Sequence, residues 1–243
     1  MYANCRGLKR KQESLKEIVE NIDPDIIILN ETMYSNNEKT TLKAYKSYIN
    51  NREEKSGGGI EILIRTNIEN RTVKISEGTP DIEELTVRTE SKKRTINIIS
   101  LYGKIEGRET KENIKKQFSH LEELIKRIES SGEDYILIGD LNAKIGCKED
   151  GIEGNNEEQN EAGKALLNLE KVTQGTIINK TPKCKGMWTR VNTKNDSEKA
   201  ILDYVMTNES VYDDIIEMKI DEEKLYRLTR YKENKLKKHI TTQ

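Results

Sequence analysis

The chain is poor in the residues that build soft-metal or disulfide sites. Of its 243 residues, three are cysteine and two are histidine. Cys5, Cys147 and Cys184 stand apart in the sequence, and no pair has metal-ligand spacing. That excludes a zinc ribbon, and an odd, scattered set of thiols points to a reducing compartment. Long apolar runs are missing as well. None approaches the roughly 18 residues of a membrane span, and no targeting segment opens the chain. Charge of one sign is also lacking. The 42 Lys and Arg nearly balance the 43 Asp and Glu, for a formal net charge of -1. This excludes attraction to a polyanion by the molecule as a whole, but not by a local basic groove.

The apolar residues amount to 33% of the chain and the charged ones to 35%. The apolar runs that exist are short and well separated, which predicts many strands and a large surface. Asp134 to Gly146 stands at the centre. Its first half, Asp-Tyr-Ile-Leu-Ile, reads as a strand buried on both faces. The run stops at Gly139, and Asp140 and Asn142 follow at once. Such residues after a strand serve either as turn formers or as groups facing a ligand. What decides is whether other strands end in the same way.

Several do. Residues 25–29 form a second apolar run that ends in Asn30-Glu31-Thr32. Residues 95–101 form another, ending in Tyr102-Gly103, with residues 85–88 as its hairpin partner. The opening segment Tyr2-Ala3-Asn4-Cys5-Arg6-Gly7 reads as the end of a strand. In residues 200–206 Asp203 lies inside an apolar run. An unpaired carboxylate there is costly, so it needs a partner, for which His, Arg or a metal are the candidates.

Between these runs, apolar residues at helical spacing predict helices over 11–22, 112–130 and 162–172. The first is stopped by Asp23-Pro24. His120 lies beside the apolar face of the second and reads as a helix surface or boundary residue. Ser56-Gly57-Gly58-Gly59 is no phosphate-binding P-loop, because a strand over 60–65 follows and no Gly-Lys-Ser/Thr does. It reads as a flexible turn or bulge. Residues 33–55 read as loop with an irregular edge, and 148–159 as an acidic, Gly-rich loop. Short strands are expected at 176–179 and from 187. The basic tail over 224–239 is either a solvated terminus or a phosphate-binding patch. Some strands are joined by helices and others by hairpins. That mixture predicts one domain of two packed sheets with flanking helices rather than a doubly wound parallel sheet.

The strand ends together offer Asn4, Glu31, Tyr102, Asp140, Asn142 and Asp203, with His239 near the C-terminus. Carboxylate and amide oxygens without thiolates suit a hard cation such as Mg²⁺ or Mn²⁺. Tyr, Asn and His suit a phosphate. These are the parts needed to hydrolyse a phosphodiester.

The ordered series Asn4-Cys5-Arg6-Gly7, Asn30-Glu31-Thr32, Ser100-Leu101-Tyr102-Gly103, Gly139-Asp140-Leu141-Asn142 and Ile201-Leu202-Asp203-Tyr204 resembles the endonuclease/exonuclease/phosphatase superfamily over nearly the whole chain. Lys185-Gly186-Met187-Trp188-Thr189-Arg190, the segment 199–208 and Leu225-Tyr226-Arg227-Leu228-Thr229-Arg230-Tyr231 are more closely similar to the endonuclease domain of non-LTR retrotransposons. The resemblance implies an α/β four-layer sandwich, two mixed sheets face to face with helices outside. It implies Mg²⁺-dependent nicking of DNA in the nucleus, with a reverse transcriptase encoded elsewhere as a partner. Glu31 would be the principal metal ligand, with Asn4 nearby. Asp140 would activate or orient the attacking water. Asn142 and Tyr102 would hold the scissile phosphate. His239, oriented by Asp203, would stabilise charge developing on phosphate oxygens.

The resemblance departs at both ends. The family's first strand begins before the position of Asn4, and a last core strand follows its Ser/Thr-Asp-His motif. Residues 1–243 are therefore expected to form a single domain lacking both. The motif reads Lys237-Lys238-His239 here, with Lys238 in place of the Asp. A lysine beside a cation changes the Coulomb energy by on the order of a few kcal/mol. A catalytically impaired remnant that binds nucleic acid or protein is thus a second reading, and a phosphatase of the same superfamily a third.

Overall fold

The computed structural model describes residues 1–52, 57–68, 71–79, 81–90, 94–146, 159–191, 199–223 and 225–229. Lys237, Lys238, His239, most of the basic tail and most of the acidic loop lie outside the described residues. So do Cys147 and the turn over 192–198.

In chain order the elements are β1 (Tyr2–Asn4), α1 (Gln12–Ile22), β2 (Ile26–Asn30), β3 (Tyr45–Asn50), β4 (Ile60–Arg65), β5 (Thr72–Ser76), β6 (Glu84–Glu90) and β7 (Thr95–Tyr102). There follow α2 (Lys111–Ser130), β8 (Asp134–Asp140), α3 (Glu161–Thr173), β9 (Thr176–Ile177), β10 (Cys184–Lys185), β11 (Arg190–Val191), β12 (Lys199–Ala200), β13 (Asp203–Thr207), α4 (Glu209–Asp214) and β14 (Met218–Lys219). One sheet has the order β1-β2-β4-β3 and the other β5-β6-β7-β8-β13-β9. Both are mixed. β1 and β2 run parallel, as do β7 and β8, and the remaining neighbours in the two sheets are antiparallel.

Alternation along the strands makes the layers. Ile60, Ile62 and Ile64 of β4 face Leu85, Val87 and Ile98 of the other sheet and form the inter-sheet core. The opposite face of the first sheet, with Ile27, Leu29 and Leu63, takes Leu15 and Val19 of α1. The opposite face of the second, with Ile99, Leu101, Leu137 and Met206, takes Phe118, Leu121 and Ile125 of α2 and Leu166 and Leu169 of α3. The chain is therefore a four-layer α/β sandwich, as expected. Each fully buried aliphatic side chain stabilises by roughly 1.5–3 kcal/mol. Helix propensities differ by only tenths of that, so packing rather than propensity keeps Ile18 and Val19 helical.

Helix ends follow local chemistry. Thr110 caps α2 by accepting from the Asn113 N–H at 3.2 Å. Asp23 closes α1 in the left-handed region at φ 51°, its N–H on the Val19 carbonyl. Gly57, Gly58 and Gly59 all have positive φ, so the glycine run is a left-handed turn. His120 sits on α2 with Nε2 3.3 Å from the buried carboxylate of Glu84, a boundary position under the second sheet. Among the described residues, no helix is long and apolar enough to cross a membrane.

Four expectations need correcting. The strand expected over 176–179 ends at Ile177, and Ile178–Lys180 form a 3-10 turn. The segment from Met187 is extended only at Arg190–Val191, where it pairs with Lys199–Ala200. The run over 200–206 is not one strand. Ile201 and Leu202 break from it, and Asp203 is the first residue of β13. Residues 45–50, expected as an irregular edge, form a regular edge strand against β4.

Candidate active site

Topology brings the carboxyl ends of β1 and β2 together in the first sheet. In the second it does the same for β7 and β8. Asn4 pairs with Asn30 in register, and the chain then turns through Glu31 at φ 53°. A left-handed φ at a non-glycine residue costs about 1–2 kcal/mol, so the turn must be held. Gly7 and Leu8 donate their N–H groups to the Glu31 and Thr32 carbonyls at 2.8 and 2.9 Å.

In the second sheet Tyr102 pairs with Asp140, and Asp140 with Asp203 across the antiparallel neighbour. Gly103 is required here. A Cβ on it would collide with the Leu141 carbonyl. The Gly103 N–H donates to the Asp140 carbonyl at 2.6 Å, and the Gly103 carbonyl accepts from Asn142 Nδ2 at 2.8 Å. Asn142, at φ 48°, directs its own N–H to Asp140 Oδ1 at 3.2 Å.

Side chains then close the gap between sheets. Asn4 Nδ2 donates to Glu31 Oε1 and to Asp140 Oδ2, each at 2.8 Å. The Tyr2 hydroxyl donates to Asp203 Oδ1 at 2.7 Å. Buried Asn30 donates to the Leu101 carbonyl and accepts from the Ser100 hydroxyl, both at 2.8 Å. Tyr102 engages the Glu31 carboxylate through its hydroxyl.

Two carboxylates and a phenol so placed hold their protons more firmly than usual. Asp140 is pushed up to about 7 by burial and then by the Asp203 and Glu31 charges, against hydrogen bonds from Asn142 and Asn4. Burial also raises Asp203, against hydrogen bonds from Thr189 and Tyr2 and the charge of Arg6. Burial and the Glu31 and Asp140 charges raise the Tyr102 phenol. Tyr102 is thus a neutral hydrogen-bond donor and Asp140 a proton acceptor poised near neutrality.

The carboxylates and hydroxyls of the site offer oxygen donors. Among the described residues no three His, Cys, Asp or Glu converge as a ligand cluster. That fits no all-protein cage and no zinc site. It does fit Mg²⁺ or Mn²⁺, which take one or two carboxylates and keep waters or substrate phosphates. Asn4 faces Glu31 with its amide nitrogen, while its Oδ1 accepts the Arg6 N–H at 3.2 Å.

The structure therefore gathers Asn4, Glu31, Tyr102, Asp140, Asn142 and Asp203 at one end of the sandwich, and His239 lies outside the described residues. Among the described residues Asp203 has a hydroxyl partner besides the expected types. The Tyr2 hydroxyl donates to it, with Arg6 contributing charge. Sequence reasoning missed Tyr2, Thr189, Ser100 and Asn160. Asn160 caps α3, accepts from Lys144 N–H and Gly163 N–H, and donates to the Asn142 carbonyl, all at 2.8 Å. An Asn directly before Glu-Ala-Gly-Lys was a readable cap signal. Nothing local marked the other three.

Comparison with known proteins agrees with this fold. Residues 1–214 match the model of the endonuclease/exonuclease/phosphatase family. The tail beyond residue 214 lies outside that match. No curated protein matches the chain. Among solved structures, the catalytic domain of Xenopus laevis APE2 superposes with TM-score 0.70 at 16% identity, over 87% of this chain and 82% of that one. The AP endonuclease LMAP from Leishmania major gives 0.65 at 16%, over 87% and 79%. The endonuclease domain of TRAS1, a telomere-specific non-LTR retrotransposon, gives 0.62 at 16%, over 87% and 85%.

Proposed function

The chain belongs to the endonuclease/exonuclease/phosphatase family, and from that premise we propose that it hydrolyses phosphodiester bonds in DNA, nicking one strand with Mg²⁺ as cofactor in the manner of a retrotransposon endonuclease. The observation that carries this reading is the Asn4 amide bridging Glu31 on one sheet and Asp140 on the other at 2.8 Å each. Beside that bridge the neutral Tyr102 phenol meets Glu31, and Asp203 lies in register with Asp140.

Glu31, with Asn4 beside it, would hold the cation, with Mn²⁺ as a substitute. When bound, the cation supplies Lewis acidity and neutralises charge on phosphate oxygens. Asp140 accepts a proton from the attacking water, for which an affinity near neutrality is well matched. The water oxygen bonds to phosphorus and the ester P–O bond breaks. One strand end keeps the phosphate, and the other leaves as an alcohol after taking up a proton. Tyr102, kept protonated, donates to a phosphate oxygen. Asn142 orients Asp140 through its N–H and lies beside the phosphate position. His239, oriented by Asp203, would stabilise charge on the phosphoryl oxygens.

The test is nicking of supercoiled plasmid by purified protein with Mg²⁺ or with EDTA, beside Asp140→Asn. Metal-dependent nicking lost in the variant supports the assignment. A folded wild-type protein that binds DNA without nicking it would overturn it in favour of a binding remnant.

A further inference from the structure

The glycine run does more than turn the chain. Glu83 leads into β6 with its side chain only 10% exposed. Its Oε2 accepts from Arg52 Nε at 2.9 Å and from Arg52 Nη2, and its Oε1 accepts the Gly59 N–H. The carboxylate is thus fully used, one oxygen by the guanidinium and the other by the glycine backbone. The Glu83 carbonyl accepts the Tyr102 N–H at 3.0 Å.

Gly58 and Gly59 pass the connection on. Their carbonyls accept the Met33 and Thr32 N–H groups at 2.7 and 3.1 Å. Those are the two residues after Glu31, and Met33 shares its left-handed φ, at 55°. A Cβ on Gly58 would collide with Arg52 and Glu83, and one on Gly59 with the Thr32 hydroxyl. The close approach is possible for glycine alone.

We propose that the Arg52–Glu83 ion pair is a positioning device for the active site, clamping Gly58–Gly59 against the strained Glu31 turn and fixing Tyr102 through the Glu83 main chain. The pair touches no reacting atom. It acts by holding a cation ligand and a phosphate-facing phenol at a fixed separation across two sheets. This rests on the reading of Glu31 as a cation ligand, and the test separates the two ideas.

The variants are Glu83→Ala, Glu83→Gln and Arg52→Ala. Arg88→Ala serves as the control, because it breaks a comparable pair, Arg88–Glu133, at 2.8 Å at the far end of the second sheet. In metal-free protein, amide hydrogen exchange is followed at Thr32 and Met33. Mn²⁺ affinity is titrated separately by its paramagnetic signal, and kcat and KM for nicking are measured last. Glu83→Ala and Arg52→Ala are expected to speed exchange at both amides by about tenfold or more and weaken Mn²⁺ by about 10–100-fold, with the loss in kcat. Glu83→Gln, which keeps an acceptor for Gly59, falls between, and Arg88→Ala changes neither. If Glu83→Ala does not fold, Arg52→Ala and Glu83→Gln carry the comparison. Exchange as slow as wild type in all three variants overturns the proposal. Accelerated exchange in a protein that neither binds Mn²⁺ nor nicks DNA upholds the positioning device and removes the nuclease reading.

Discussion

Asn4 Nδ2 stands 2.8 Å from Glu31 Oε1 and 2.8 Å from Asp140 Oδ2, so one neutral amide separates two carboxylates that belong to different sheets. Hydrogen bonds to charged acceptors contribute about 1.5–3 kcal/mol each. Without the amide the carboxylates would face each other with no donor between them. Asn4→Ala is expected to slow nicking by about 10²-fold or more, the usual cost of removing a preorganised donor. Asn4→Asp, which adds a third negative charge, should be worse. Initial rates of plasmid nicking, with circular dichroism as a check on folding, decide this.

The raised proton affinity of Asp140 has a definite sign in stability. In the unfolded chain an Asp ionises near pH 3.9, whereas in the folded protein Asp140 keeps its proton up to about 7. Between those values the folded state binds a proton that the unfolded state has released. Metal-free stability therefore falls as pH rises from about 4 to about 7. Glu61 and Glu83, both raised by burial, add to the same slope. Asp140→Asn removes one contribution. It should be more stable than wild type at pH 7 by on the order of 1–3 kcal/mol and equal to it near pH 4. Urea unfolding in EDTA across this range checks both statements.

Glu31→Ala and Asp140→Asn are each expected to abolish nicking while leaving the fold intact, and EDTA should do the same to the wild type. Their metal responses should differ. Mn²⁺ should raise the Tm of Asp140→Asn but not of Glu31→Ala. Equal metal-induced shifts in the two variants would remove Glu31 from the ligand position.

Gly103→Ala places a methyl group against the Leu141 carbonyl. Overpacking of this kind costs about 1–3 kcal/mol. The displaced backbone carries Asp140 and Asn142, so the loss in nicking should exceed what the loss in stability explains. Comparing rates at a temperature where both proteins are fully folded separates the two effects.

Periodicity made α1, α2, α3 and the β6–β7 hairpin readable, because each has a buried face with a single repeat. β5 was not readable. Its apolar residues Val73 and Ile75 are about half exposed at a sheet edge, so its pattern marks no core. The Asp203 strand was misread for the opposite reason. Ile201 and Leu202 are buried but belong to no strand, and Asp203, the next residue, opens β13 opposite Asp140. The site's acidic and amide residues were legible because one arrangement, a polar residue at a strand end, recurs in order. Tyr2 was not, since its meaning lies in Asp203, 201 positions away. Contacts of that span follow from the stacking of two sheets and leave no local mark.

Half of the reactive centre travels with one sheet and half with the other, joined at that end by Asn30 reaching Leu101 and Ser100. The site is therefore a gauge of interlayer registry. A slip of about an ångström between the sheets would leave every strand and helix intact, yet it would pull Asn4 out of reach of Asp140. Under gentle denaturant, chemistry should fail before secondary structure does, and the margin between the two midpoints measures how firmly the layers are keyed together.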